Sequence, residues 1–311
     1  PASDWVGLLA LTGMWGSAFL LTKVALAGIG PELVVAGRLG IACLVLVPLA
    51  LTRDERVGER TQWNARLWVF LILIAVCGNV LPFNLIAWGQ QRMDSGLAGI
   101  LMAVMPLATL GLDHVFVPGE RLTVYRIGGF LAGFAGVVVL MLPQGVAAGA
   151  PAGDPVPPLA MLAVLAGALC YAISAVLARL RPPSHPLPSA ALTTLIATGI
   201  MLPWLLLPEG IPDPDLPSGS SLLAVLALGL FSTAWASVVY FGLIRSAGPA
   251  FVSQLNYLIP LWAVGIGVIF LGEEPRPSQL LALALSLGGI LYTRLEPRPR
   301  AVVDPAGGGR G

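Results

Sequence analysis

The sequence predicts an all-α polytopic membrane protein, with ten transmembrane helices arranged as two inverted five-helix repeats. Three observations carry this. Hydrophobic residues make up 57% of the chain and charged residues 11%, with a mean hydropathy of +0.86, which would leave a soluble domain almost nothing to present to water. Mainly apolar runs of about 20 residues, the length that crosses roughly 30 Å of hydrocarbon, recur along the chain. A pattern in 94–140 returns in 248–292: a proline in an apolar run, then Gly-Glu, then a glycine-spaced apolar run.

The runs place spans at 5–27, 31–52, 67–90, 95–117, 124–142, 158–180, 188–208, 220–244, 249–271 and 278–294. Span 1 carries Trp15 and Ser17 near its centre and Lys23 near its end, where a long basic side chain is expected to snorkel to the interface. Span 2 opens on Pro31 and holds Arg38 about two turns in. An intramembrane arginine needs helix carbonyls or a carboxylate as partner; its other roles are gating or attracting a substrate carboxylate. Span 3 brings Asn79, Pro82, Phe83 and Asn84 to mid-depth, and span 4 brings Met102, Met105 and Pro106. Span 5 carries Gly129, Gly133 and Gly136, small residues that let helices approach closely in lipid. Span 6 offers Tyr171, span 8 offers Trp235 and Ser237, and span 9 offers Gln254, Asn256, Tyr257 and Pro260.

The second half repeats the first. Pro106 precedes Gly119-Glu120 by thirteen residues and Pro260 precedes Gly272-Glu273 by twelve, while Gly136 and Gly289 each follow their Gly-Glu pair at the same distance. Pro31 and Pro48 of span 2 are matched by Pro186 and Pro203 of span 7. The unit of five spans is odd, so its second copy must enter the membrane from the opposite side, as in many secondary transporters. The expected division is 1–145 for the first repeat, 146–157 for a Gly-, Ala- and Pro-rich linker, 158–297 for the second repeat and 298–311 for a tail.

Arginine placement orients the chain. With the N-terminus inside, Arg53, Arg56, Arg60, Arg66, Arg121, Arg126, Arg179, Arg181 and Arg245 fall in inner loops and Arg294, Arg298, Arg300 and Arg310 in the inner tail; only Arg92 and Arg276 fall outside. This asymmetry predicts both termini in the cytoplasm. Cys43, Cys77 and Cys170 lie in apolar spans, without the context of a disulfide or zinc site. The chain holds no Walker-type phosphate loop, and His114 and His185 stand far apart without paired carboxylates. An enzyme, a cofactor, a metal site and a nucleic-acid partner are therefore not expected.

The motifs Trp15-Gly16-Ser17-Ala18-Phe19, Pro31 with Arg38, Ser95-Gly96-Leu97-Ala98 through Pro106 to Gly119-Glu120-Arg121-Leu122, and Pro260 with Gly272-Glu273 resemble the drug/metabolite transporter superfamily, in its EamA branch. The resemblance covers 5–295 and is closest to the bacterial aromatic amino-acid exporters of that branch. It implies export of amino acids or other small metabolites across a bacterial inner membrane. Cys170-Tyr171 departs from the family pattern, in which a tryptophan is common.

A cavity near mid-membrane is expected between the repeats. Its candidate walls are Trp15, Ser17, Asn79, Phe83, Asn84, Met105, Tyr171, Trp235, Ser237, Asn256 and Tyr257, with Pro82, Pro106, Pro260 and Arg38 as hinges or gates. Aromatic faces and amides suit the side chain and the zwitterion of an aromatic or large neutral amino acid. For each aromatic residue, plain packing or lipid exposure is the commoner role; an amide at membrane depth must find partners, which favours a wet cavity. Each proline either hinges its helix or fixes a static kink. An organic cation such as methyl viologen, or another metabolite, is the alternative solute. Carboxylates are absent from the middle of every span, which predicts facilitated or weakly coupled export, with one chain sufficing as the working unit.

Overall fold

The computed structural model describes residues 2–52, 63–118, 123–141, 156–206 and 219–295, and every regular element among them is helical. In chain order they are α1 (Ala2–Leu26), α2 (Pro31–Thr52), α3 (Ala65–Gln90), α4 (Ser95–Phe116), α5 (Val124–Met141), α6 (Pro158–Leu180), α7 (Pro186–Leu206), α8 (Gly219–Ala247), α9 (Leu255–Leu271) and α10 (Pro277–Thr293). A single turn, Pro249–Val252, precedes α9. Helices α1 to α8 are long and apolar enough to cross a bilayer, whereas α9 and α10, at 17 residues each, are shorter apolar helices. The apolar run 249–271 is shorter as a helix because the backbone breaks at Ser253-Gln254. Gly119-Glu120, most of the linker and the tail lie outside the described residues.

The outer surface is apolar, as lipid requires: Leu44, Ile269 and Phe270 are each more than 70% exposed. Inside, α2 packs on α7, α5 on α10, α3 on α6 and α1 on α8, while α1 also runs along α9 and α6 along α4. Exchanging the first five helices for the last five leaves this set of neighbours unchanged.

The closest crossing joins α5 and α10. A Cβ built on Gly129 would lie 2.5 Å from the carbonyl oxygen of Gly289, and one on Gly289 would lie 2.5 Å from that of Gly129. Only paired glycines allow two backbones to meet this way. Gly96, Gly99, Gly133 and Gly136 also face close neighbours, but Gly265 and Gly288 face open space, so small size serves no packing contact there.

Two helices carry a wide π turn at corresponding places, Val76–Val80 in α3 and Leu230–Trp235 in α8. In α3 the turn precedes Pro82, which has no N–H to return to the carbonyl ladder. Asn84 then donates its Nδ2 to the Val80 carbonyl at 2.7 Å. In α8 the Thr233 hydroxyl reaches five residues back to the Leu228 carbonyl at 2.9 Å, and Ser237 donates to Thr233 O at 2.7 Å.

Helix α4 breaks at Ala103-Val104 and resumes at Met105, so Pro106 stands in the first turn of a new segment, where its missing N–H is harmless. Pro106 therefore starts a helix rather than bending one. Pro260, by contrast, lies inside continuous helix.

Long-range hydrogen bonds sort the helix ends onto two faces. Ser246 donates to Asp4, Arg294 to Ser253 and Arg179 to Asp113, which gathers one set of ends beside the N-terminus. The opposite set, here the far end, joins Lys23 to the carbonyls of Gln90 and Met93, Ser221 to Val24, and Glu273 to Ser95 and Gly96. Helices α1, α4, α8 and α9 thus each run from one face to the other.

Candidate functional site

Between the helices lies a cavity of about 320 Å³. Its walls come from α1, α2, α3, α4, α6, α8 and α9, and so from both halves of the chain. From α1 come Trp15, Phe19 and Thr22; from α3, Asn79, Phe83 and Gln90; from α8, Ser232, Thr233 and Ser237. Helix α4 contributes Met102, Met105 and Pro106 around its break, α6 contributes Tyr171, and α9 contributes Asn256, Ile259 and Pro260. The aromatic walls are braced by ring contacts, with Trp15 5.3 Å from Tyr240 and Phe83 6.3 Å from Tyr171 between centroids.

Arg38 of α2 enters this apolar space as the one charged side chain among the described lining residues. Its guanidinium carbon sits 3.8 Å above the centre of the Phe83 ring, and its Nε donates to Thr233 Oγ1 at 2.7 Å. The stack supplies a cation–π contact where water is scarce. No ion pair to Arg38 occurs among the described residues.

Five expected residues lie off the cavity, each for a visible reason. Ser17 points toward α9, where it accepts a hydrogen bond from Trp262 Nε1 at 3.0 Å. Asn84 faces α7, donating to Met201 sulfur at 3.4 Å as well as to the π turn. Trp235 is 54% exposed on the apolar surface. Tyr257 turns to α10, its hydroxyl donating to Ile290 O at 3.3 Å, and Pro82 backs onto Gly167 of α6. From its place outside the walls, Trp235→Leu is expected to leave transport rates within about twofold of wild type, measured as solute flux from proteoliposomes at matched protein content.

The structure adds residues that mid-span position alone does not pick out. Gln90 is fully buried, its Nε2 donating to Phe19 O at 3.0 Å and its Oε1 lacking a partner among the described residues. Lys23 does not snorkel outward; its Nζ donates to Gln90 O at 3.0 Å and Met93 O at 2.7 Å, capping the end of α3. Together Lys23 and Gln90 clasp α1 to α3 at the far end.

A second clasp joins the halves there. Gly272, with φ +65, ends α9 in the left-handed region, so the chain turns back and Glu273 N–H reaches the Gly267 carbonyl at 3.2 Å. The Glu273 carboxylate then accepts from Ser95 N–H at 2.6 Å, Ser95 Oγ at 2.7 Å and Gly96 N–H at 2.9 Å. It caps the positive N-terminus of α4 from 178 residues away, although Asp94 occupies the cap position in sequence and makes no such bond. Burial, reinforced by the nearby negative charge of Glu273, raises the pKa of Asp94; Lys23 and Arg276 partly offset this.

Comparison with known proteins agrees with this architecture. A crystal structure with 25% sequence identity superposes with a TM-score of 0.62, covering 96% of this chain and all of the other. The chain is 28% identical over 290 residues to the uncharacterized inner membrane transporter YedA of Escherichia coli, covering 93% of this chain and 89% of that protein. It is 29% identical over 311 residues to a probable terminal-alkyne amino-acid exporter of Streptantibioticus cattleyicolor, covering 93% of each. The model of the EamA-like transporter family matches residues 4–142 and again 158–295. With both halves of the sequence matched in this way, the protein belongs to the EamA-like transporter family and is a multi-pass membrane transporter rather than an enzyme.

Proposed function

We infer that this transporter exports amino acids, aromatic and large neutral ones foremost, from the cytoplasm across the bacterial inner membrane by alternating access. The observation that carries it is the cavity itself: one chamber walled by both halves, aromatic on several sides, with amides and hydroxyls at its edges. Trp15, Phe83 and Tyr171 would hold the side chain, while Asn79, Asn256 and Ser237 offer hydrogen bonds to the polar end. The relative named as an amino-acid exporter supports the same class.

The halves 1–145 and 158–297 are read as inverted repeats in a single working chain. Support comes from the neighbours that survive exchange of the halves and from the paired π turns of α3 and α8. Arginine placement supports a cytoplasmic location for both termini, and on that reading the end clasped by Lys23, Gln90 and Glu273 faces outward. An organic-cation exporter is the rival; Arg38, the lone charge on the described walls, opposes it by repulsion.

Counterflow in proteoliposomes tests the assignment. Phenylalanine, tryptophan and leucine should exchange with saturable kinetics, glycine poorly, and a proton ionophore should leave counterflow intact. Methyl viologen exchange without any amino-acid exchange would remove the assignment.

A further inference from the structure

We propose that Arg38 is the docking point for the carboxylate of the transported solute, so that the carboxylate is required for recognition and the ammonium group is dispensable. This rests on the cavity being the transport site.

The first support is a charge imbalance. Asp4, Glu32, Asp94, Asp113, Glu273 and Glu274 are the acidic side chains among the described residues, and none lines the cavity. The chamber thus presents a fixed cation and no fixed anion. A buried charge that lacks a counter-ion is costly unless a ligand or water completes it. A solute bearing both charges gains an ion pair at one end only, and must satisfy its ammonium with neutral acceptors.

The second support is the way the guanidinium is held. Phe83 covers its face at 3.8 Å, and Thr233 takes the Nε–H at 2.7 Å. The Thr233 hydroxyl donates its own hydrogen bond to Leu228 O at 2.9 Å, so its oxygen is oriented to accept. The chain Arg38 to Thr233 to Leu228 therefore fixes the plane of the group. Its two Nη groups, the edge that pairs side by side with a carboxylate, make no hydrogen bond to a described residue. Phe83 and Thr233 come from α3 and α8, so the anchor is assembled by both halves and a bound carboxylate would bridge them.

The prediction separates charge from shape by using four ligands with one ring. L-Phenylalanine and 3-phenylpropionate share the carboxylate; L-phenylalaninamide and phenethylamine lack it. Binding to the purified protein by calorimetry, and competition in counterflow, should rank the two carboxylates within about tenfold of each other and both at least tenfold above the amide and the amine. Arg38→Gln should erase that preference while the protein still elutes as a monodisperse peak; Arg38→Lys, which keeps charge but loses the fork, should retain part of it. Thr233→Val, which frees the Nε, should weaken carboxylate binding without reversing the ranking.

Equal binding of phenylalanine and its amide by the wild-type protein overturns the proposal while leaving amino-acid export standing. Uptake of 3-phenylpropionate without phenylalanine would uphold Arg38 and remove the amino-acid assignment. No binding of any of the four would overturn both. The ligand series needs no variant, so a misfolded Arg38→Gln protein does not shield the proposal.

Discussion

Replacing Glu273 by alanine is expected to release the far end of the molecule and to slow transport at least tenfold. The carboxylate accepts two backbone N–H groups and one hydroxyl at the N-terminus of α4, and nothing in an alanine replaces them. Hydrogen bonds to a charged group contribute roughly 1.5–3 kcal/mol each when buried, and Glu273 is half-buried, so about 3 kcal/mol for the whole clasp is a fair scale. That converts to a shift of roughly 150-fold in a two-state equilibrium. The measurement is the distance between spin labels at Gln91 and Glu274, which are exposed on either side of the clasp. Glu273→Ala should lengthen and broaden it, and Glu273→Gln, which keeps acceptor geometry without charge, should fall between. An unchanged distance in Glu273→Ala would mean that α4 and α9 are held by packing alone.

The largest effect on stability is expected at the crossing of α5 and α10. A methyl group at Gly129 would meet the Gly289 carbonyl oxygen at 2.5 Å and the Thr293 Cγ2 at 2.4 Å. The oxygen belongs to backbone, so relief requires the helices to separate along their shared seam. Overpacking of this kind costs about 1–3 kcal/mol, and Gly129→Ala should lower the thermal midpoint in detergent by several degrees. Gly265→Ala and Gly288→Ala enter open space in a helix, where alanine is intrinsically the better residue by up to ~1 kcal/mol. They should leave the midpoint unchanged or raise it. Equal losses at all three positions would indicate general intolerance rather than a specific crossing.

The apolar runs and their order could be read from the chain because bilayer thickness sets a length that composition must satisfy. Which face of each helix meets the cavity was harder, since lipid and protein interior are both apolar and no polar stripe marks the outside. Helical spacing nevertheless holds the answer in the polar and aromatic residues. Asn79, Phe83, Ile86, Ala87 and Gln90 recur at intervals of three and four and all line the cavity, while Asn84 is rotated a quarter turn away. Trp15, Phe19 and Thr22 share a face that excludes Ser17; Asn256, Ile259 and Pro260 share one that excludes Tyr257. Thr233 and Ser237 do the same against Trp235, so choosing by face rather than by depth would have found Gln90 and Thr22. The Glu273 clasp was not legible, because its partners are 178 residues away and Asp94, the local candidate for the cap, makes no cap bond.

The π turns of α3 and α8 also bear on the proposed duplication. A π turn amounts to one extra residue in a helix and is rare, yet Val76–Val80 and Leu230–Trp235 stand at corresponding places in the two halves. On the duplicated unit proposed above, a single insertion in a five-helix ancestor, fixed before the gene doubled, accounts for both. The breaks in α4 and α9 tell a later story: one lies just ahead of Pro106, the other a full turn farther from Pro260. If the halves are two copies of one unit, the wide turns are what the copies hold in common, whereas the placement of the breaks is where they differ.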